Sequence, residues 1–321
     1  MSWTDDDAAS ATGAPRRLRV TVVGNPGLDT LVLVGEDDPD LRADGHFVRN
    51  VDTVGHAAAF VARGLARLGH QVRILGAVGA DPIGQLVTDV LADDGVDTSL
   101  LFTDPAGTPR SVNLVLPDGR RTFFYDGGSH LTLQPPDDLV DRALTDVDLV
   151  VSTLANWGRH VVARARALGV PVAVDLQDVR DPHDPYRTDF VSEADLLFAS
   201  AAHLPDPVSA ATGWLAQGPA GLVVFGQGAN GALLVRRQEG SANLVQHQAP
   251  PPVDLPIVDT TGCGDSLAIG FLDGLLALDL PVESALQRGQ VLARIVGSDL
   301  GGAAAFDRGS LDALLAGTRR S

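Results

Sequence analysis

The sequence predicts an α/β fold: a doubly wound, mostly parallel sheet flanked by helices, with a smaller β-sheet beside it. Three observations carry this reading. After Ser129, short β-branched apolar runs alternate regularly with helical segments. Two stretches, approximately 30–53 and 97–128, break that alternation and read as strands outside the main sheet. Finally, Asp259-Thr-Thr-Gly-Cys-Gly-Asp265 runs straight into an apolar pattern at helical spacing, so a tight turn feeds a helix.

Residues 1–17 are small and polar, and they read as a disordered tail ahead of one domain spanning 18–321. The run 18–24 is a buried strand closed by Gly-Asn-Pro-Gly. Asp29 follows at its carboxyl edge, where open α/β sheets place ligands, although an ordinary turn aspartate would look the same. Residues 54–69 form a strong helical pattern ended by glycine, and 74–84 read as a structural turn. Residues 111–116 and 120–125 read as a hairpin around Pro117-Asp-Gly119. The runs 148–152, 170–175, 194–198 and 221–225 are further buried strands, joined by helices such as 160–168.

Composition excludes several functions. The chain has 321 residues and 45% hydrophobic content, enough for a large core. Acidic residues outnumber basic ones 41 to 24, and the net charge of −17 repels a nucleic-acid backbone. Every basic residue is arginine and no lysine occurs, which removes P-loop, protein-kinase and Schiff-base chemistry. A single cysteine forbids an intrachain disulfide, and the eight histidines show no metal-binding spacing. The acidic N-terminus and the absence of a long apolar run give no signal peptide or membrane span, so a cytoplasmic location is expected.

The chemistry concentrates at the glycine-rich turn. Gly262 and Gly264 let backbone N–H groups approach a ligand, and the helix N-terminus behind them favours phosphate. Asp265 at that junction is either a helix cap or a functional carboxylate.

Asp259-Thr-Thr-Gly-Cys-Gly-Asp265 resembles the Asp-Thr-x-Gly-Ala-Gly-Asp signature of the ribokinase-like (PfkB) carbohydrate kinases, and the order of elements agrees over most of the chain. The resemblance implies a ribokinase-like three-layer αβα sheet with a small β-sheet lid. It also implies ATP-dependent phosphoryl transfer to a hydroxyl of a small sugar or sugar-like alcohol. Asp265 would be the general base, and the N–H groups of Gly262, Cys263 and Gly264 would hold the transferring phosphoryl group. Cys263 replaces the usual Ala, and no thiol chemistry is expected of it. Asp29 would grip two sugar hydroxyls.

The family's Gly-Gly-x-x-x-Asn signature is only partly kept: Gly55 matches the first glycine, while His56 and Phe60 stand where the second glycine and the Asn should be. Phe60 is then either a core residue of its helix or an apolar wall of the acceptor site, with His56 adding a polar contact. Ser200-Ala-Ala-His203 replaces Asn-x-x-Glu, a motif tied to magnesium and phosphate. The nucleotide loop Thr-x-Gly-x-x-Gly is matched at Gly228 and Gly231, with Gly226 in the Thr position. Gln290 falls beside the expected adenine, or is a surface helical residue.

ATP and Mg2+ are the implied cofactors, with a monovalent cation, K+, near Asp259 and Thr261. Two alternatives stand beside this reading. One is a nucleoside kinase on the same fold, with Phe60 against the base. The other is a catalytically weak ligand-binding or regulatory protein, against which the retained Asp265 speaks. An exposed lid edge would pair with its copy across a two-fold axis and give a homodimer.

Overall fold

A computed structural model describes residues 14–117, 121–238, 240–302 and 304–318. The chain opens with β1 (Arg19–Val23), β2 (Gly27–Leu33), β3 (Arg49–Gly55) and α1 (His56–Arg67), followed by β4 (Gln71–Val78), α2 (Pro82–Asp93) and β5 (Leu101–Thr103). The hairpin β6 (Arg110–Val115) and β7 (Arg121–Asp126) comes next. Regular alternation then runs α3 (Asp137–Leu144), β8 (Leu149–Ser152), α4 (Gly158–Ala167), β9 (Val172–Asp178), α5 (Pro185–Glu193), β10 (Leu196–Ser200), α6 (Pro207–Gln217), β11 (Leu222–Gly226). The chain closes with β12 (Ala232–Arg236), β13 (Leu244–Gln248), α7 (Cys263–Leu272), α8 (Val282–Val296) and α9 (Arg308–Thr318).

Among the described residues the large sheet has the order β13-β12-β11-β10-β9-β8-β1-β4-β5. It is parallel from β5 to β11, and β12 and β13 extend it antiparallel. Its strands are apolar on both faces because helices cover both. Side chains alternate accordingly between two cores: Val22, Val151, Phe198 and Val224 enter one, Val23, Val150, Leu197 and Val223 the other. Strand order reverses direction at β1, between β8 and β4, and this opens a crevice at the carboxyl edge.

The small sheet has the order β3-β2-β6-β7. It departs from the expected lid segments in one respect: Leu101–Thr103 pairs in parallel with β4 at the edge of the large sheet. Its apolar contacts belong to that sheet's core, so only the hairpin half of 97–128 joins the small sheet. The turn residues Asp118 and Gly119, expected to join the hairpin strands, lie outside the described residues, as does 1–13 of the expected tail. The tail's last residues are not free: the Arg16 N–H donates to the Ala277 carbonyl at 2.8 Å and its guanidinium pairs with Asp148 at 3.1 Å. Residues 74–78 are strand rather than turn, which is confined to the Gly79–Asp81 link before α2.

The helix α7 is held against α8 at a close backbone approach, where a Cβ on Gly270 would stand 2.7 Å from the Gly289 Cα. Just beyond α7, Asp273 is fully buried between Arg288 Nε at 2.6 Å, Arg308 Nη2 at 2.5 Å and His70 Nε2 at 3.1 Å. Burial alone pushes the Asp273 carboxyl up, but the His70 hydrogen bond and the Arg288 and Arg308 charges outweigh it and hold the group below the usual range. A carboxylate depressed in the folded state adds stability above its unfolded value of about 3.9, and that stability is lost as the pH falls through the folded value. We therefore expect Asp273→Ala to cost about 3–5 kcal/mol near neutral pH, because it strands buried arginine charge. Urea unfolding checks this, and the variant should lose less stability than wild type on acidification below about pH 4.

Candidate active site

The turn before α7 is built on a buried carboxylate. Asp259 Oδ1 accepts the Thr261 N–H at 3.0 Å and the Thr261 hydroxyl at 2.9 Å, while Oδ2 accepts the Gly301 N–H at 2.8 Å. The chain then passes Gly262 at φ +75°, a left-handed conformation that glycine adopts without penalty, and enters α7. Among the described residues no acceptor takes the Gly262 or Gly264 N–H, and a Cβ added to Gly264 would meet nothing within 4 Å. Two free donors therefore stand at a helix N-terminus, with open space at Gly264 and Phe60 and Val296 beside Gly262. The expected third donor is corrected: the Cys263 N–H bonds back to the Thr260 carbonyl at 3.2 Å, closing the turn. Its thiol, pushed up to about 12 by burial and secondarily by Asp259, lies against the Ala293 carbonyl at 3.3 Å.

Asp265 sits in the first turn of α7, three residues after the capping position held by Gly262, and makes no cap. Burial pushes its carboxyl well above the usual range, and the charges of Asp175 and Asp29 add to the effect. Asp175, on β9, is itself buried and is raised to about 6, with burial the main cause; its Oδ1 accepts the Gln177 N–H at 2.8 Å. Asp175 was not among the residues expected at the site, although it ends an apolar run at 170–175 in the manner of a sheet-edge ligand.

On the acceptor side, strand register puts Asp29 of β2 beside Ser111 of β6 and Tyr125 of β7. The Ser111 hydroxyl donates to Asp29 Oδ1, and the His56 N–H donates to Oδ2 at 3.0 Å. A Cβ on Gly55 would stand 2.1 Å from that Oδ2, so the carboxylate's approach excludes any side chain there. His56 Nε2 lies 3.3 Å from Asp29 Oδ1, with the Tyr125 ring 5.3 Å from the imidazole. Burial lowers the affinity of the ring for a proton, against the opposing pull of Asp29, and favours neutral imidazole. His56 also has φ +61°, a conformation costing a non-glycine residue about 1–3 kcal/mol and retained where surroundings impose it. Phe60, half-buried on α1, would stand 3.5 Å from a Cβ on Gly262. Asp29, Gly55, His56 and Phe60 thus gather beside the turn.

On the other side, Asp178, Ser200 and Gly226 are register neighbours across β9, β10 and β11. The Ser200 hydroxyl accepts the Ala202 N–H at 3.2 Å, and His203 Nδ1 meets Asp178 Oδ1 at 2.7 Å. His203, in the place of the Glu of the Asn-x-x-Glu motif, is thus paired with a carboxylate of β9. Gly228 and Gly231, both at positive φ, bracket a short turn, and a Cβ on Gly231 would collide with the Gln248 carbonyl. The surface alternative for Gln290 is overturned: it is buried, because its Nε2 donates to that same Gln248 carbonyl at 3.0 Å. Its Oε1 has no partner among the described residues.

Asp175 and Asp178 place carboxylate oxygens, the donor type that Mg2+ takes, on β9. A monovalent cation at Asp259 and Thr261 does not fit. Both carboxylate oxygens are engaged, and Arg121 of β7 already stands there, Nη1 donating to Thr261 Oγ1 at 2.7 Å and lying 3.6 Å from Asp259 Oδ1. Arg121 escaped sequence reasoning because only strand register carries it across to the turn.

Comparisons with known proteins agree with this geometry. The acarbose 7(IV)-phosphotransferase of Actinoplanes sp. is 32% identical over 274 residues, 85% of this chain and 89% of that protein. The structure of the microbiome-derived acarbose kinase Mak1 superposes with a TM-score of 0.83 at 31% identity, covering 94% of this chain and 99% of that one. Arabidopsis thaliana ribokinase complexed with ribose and ATP gives a TM-score of 0.77 at 20% identity, over 93% and 99% of the two chains, a likeness of fold. The model of the pfkB family carbohydrate kinases matches residues 44–307, and the chain belongs to that family of ATP-dependent sugar kinases.

Proposed function

We propose that the protein transfers the γ-phosphoryl group of ATP to a hydroxyl of a modified, ring-bearing carbohydrate of the acarbose kind. The observation that carries this is Asp265, a crowded carboxyl of raised proton affinity, beside the two free N–H groups of Gly262 and Gly264. Asp265 takes the proton of the acceptor hydroxyl as its oxygen bonds the γ-phosphorus and the bond to the β,γ-bridging oxygen breaks, releasing ADP. The Gly262 and Gly264 N–H groups meet the charge on the transferring group. Mg2+, held by ATP with Asp175 and Asp178, would neutralise phosphate charge. Gln290 Oε1, near the Gly228–Gly231 turn, would accept an N–H of the base.

The acceptor preference rests on Asp29, His56 and Phe60. A phenyl ring in the place of Asn cannot satisfy a buried sugar hydroxyl, at a cost of about 1–3 kcal/mol. Tyr125 and the exposed Phe123 on the same face of the small sheet offer aromatic surface in its stead. Similarity to two acarbose kinases supports the same choice. A cytoplasmic location follows from the need for ATP, and none of the described helices is long and apolar enough to cross a membrane.

Replacing Asp265 by Asn should lower turnover about 100- to 10,000-fold while ATP binding persists. Asp175→Asn, which removes a neighbouring negative charge, should lower the proton affinity of Asp265 and move the acid limb of kcat/KM to lower pH; an unchanged limb would refute the coupling. In a competition among acarbose, ribose, fructose and several nucleosides, wild type should prefer acarbose. His56→Gly with Phe60→Asn should shift preference toward the plain sugars by roughly tenfold or more. β7, which carries the exposed Phe124, is an edge strand of the small sheet, and we expect that edge to pair with its copy in a homodimer. Light scattering on Phe124→Glu should give a monomer.

A further inference from the structure

Asp259 is a carboxylate with a fully buried side chain, and such a charge needs a cation nearby. Its hydrogen bonds come from neutral groups, the Thr261 N–H and hydroxyl and the Gly301 N–H, none of which supplies charge. Among the described residues its one ion-pair partner is Arg121, whose side chain is 35% exposed and reaches in from the first residue of β7. The same guanidinium fixes Thr261 Oγ1 at 2.7 Å, one residue before Gly262. It therefore grips both the carboxylate that anchors the turn and the residue leading into the anion-binding glycines.

We infer that Arg121 supplies the positive charge at this turn that a monovalent cation would otherwise supply, so that phosphoryl transfer by this protein needs no K+. This rests on the kinase reading above. Arg121 is a positioning residue: it holds the turn, and through it the Gly262 and Gly264 N–H groups, while Asp265 handles the proton. Because the guanidinium is part of the chain, the device is permanent, unlike a cation that must be bound from solution. It also ties the small sheet to the turn, since the charge arrives only with β7 in place.

The test compares K+ with tetramethylammonium at constant ionic strength, in wild type and in Arg121→Gln. Two readouts are used, phosphoryl transfer to acarbose and the melting temperature of the protein alone. Wild type should respond to K+ by less than about twofold in rate and show no K+-specific rise in melting temperature. Arg121→Gln should lose about tenfold or more in rate, recover with K+, and gain about 2–4 °C in melting temperature on K+ addition. Arg121→Lys should retain K+ independence. Stimulation of wild type by K+, or an Arg121→Gln protein indifferent to K+ in both readouts, would overturn the inference. If the variant does not fold, the wild-type response decides alone. Melting temperature needs no acceptor, so an inactive wild type with acarbose would count against the proposed substrate and leave this inference to its own readout.

Discussion

At the carboxyl edge of the sheet a carboxyl is withdrawn from water among like charges: burial, with the charges of Asp175 and Asp29 added to it, raises the proton affinity of Asp265. Among the described residues neither Asp175 nor Asp265 forms an ion pair, although the chain carries arginines in quantity elsewhere. A folded protein tolerates such crowding only when something else over-determines the positions. Here the rigid parts do so: two cores clamp the sheet, and α7 lies backbone to backbone against α8. Charge is withheld from the reacting edge and spent on anchoring, with Arg288 and Arg308 on Asp273 and Arg121 on Asp259. On the proposed reading, the missing positive charge enters with the nucleotide, and a base of raised proton affinity is better matched to a neutral hydroxyl than an ordinary carboxylate.

The parts of this arrangement legible in the sequence were those with a local cause. Apolar β-branched runs gave the parallel strands because burial on both faces demands them, and the Gly262–Gly264 turn announced itself by its glycines and the helix behind it. What stayed hidden depended on distant residues. Asp175 reads like any aspartate after a strand until β9 is set beside α7, and Arg121 reads like a hairpin arginine until β7 is folded over the turn. The burial of Gln290 was equally invisible, since a glutamine on an amphipathic helix carries no mark of the carbonyl it will meet. Leu101–Thr103 pairs with β4 and not in the small sheet, and a three-residue strand carries the same pattern at either edge.

The departures on the acceptor side lie on different elements from the proposed base. His56 and Phe60 belong to α1, and Asp29, Ser111 and Tyr125 to the small sheet, whereas Asp265 and the free N–H groups belong to the turn and α7. A change at His56 can therefore alter what is held without moving the base. The geometry around it shows how much must change together: its imidazole occupies the space above Gly27, where a Cβ would stand 2.3 Å from Cε1, and its backbone is forced to φ +61°. The Pro109 carbonyl would stand 2.4 Å from the same Cβ, so residue 27 is closed to a side chain from two sides. The strain at His56 is the consequence of putting an imidazole at a left-handed position that suits glycine. On the proposed reading, acceptor preference is set where β2 meets α1, while the proton is handled by Asp265 on a separate element.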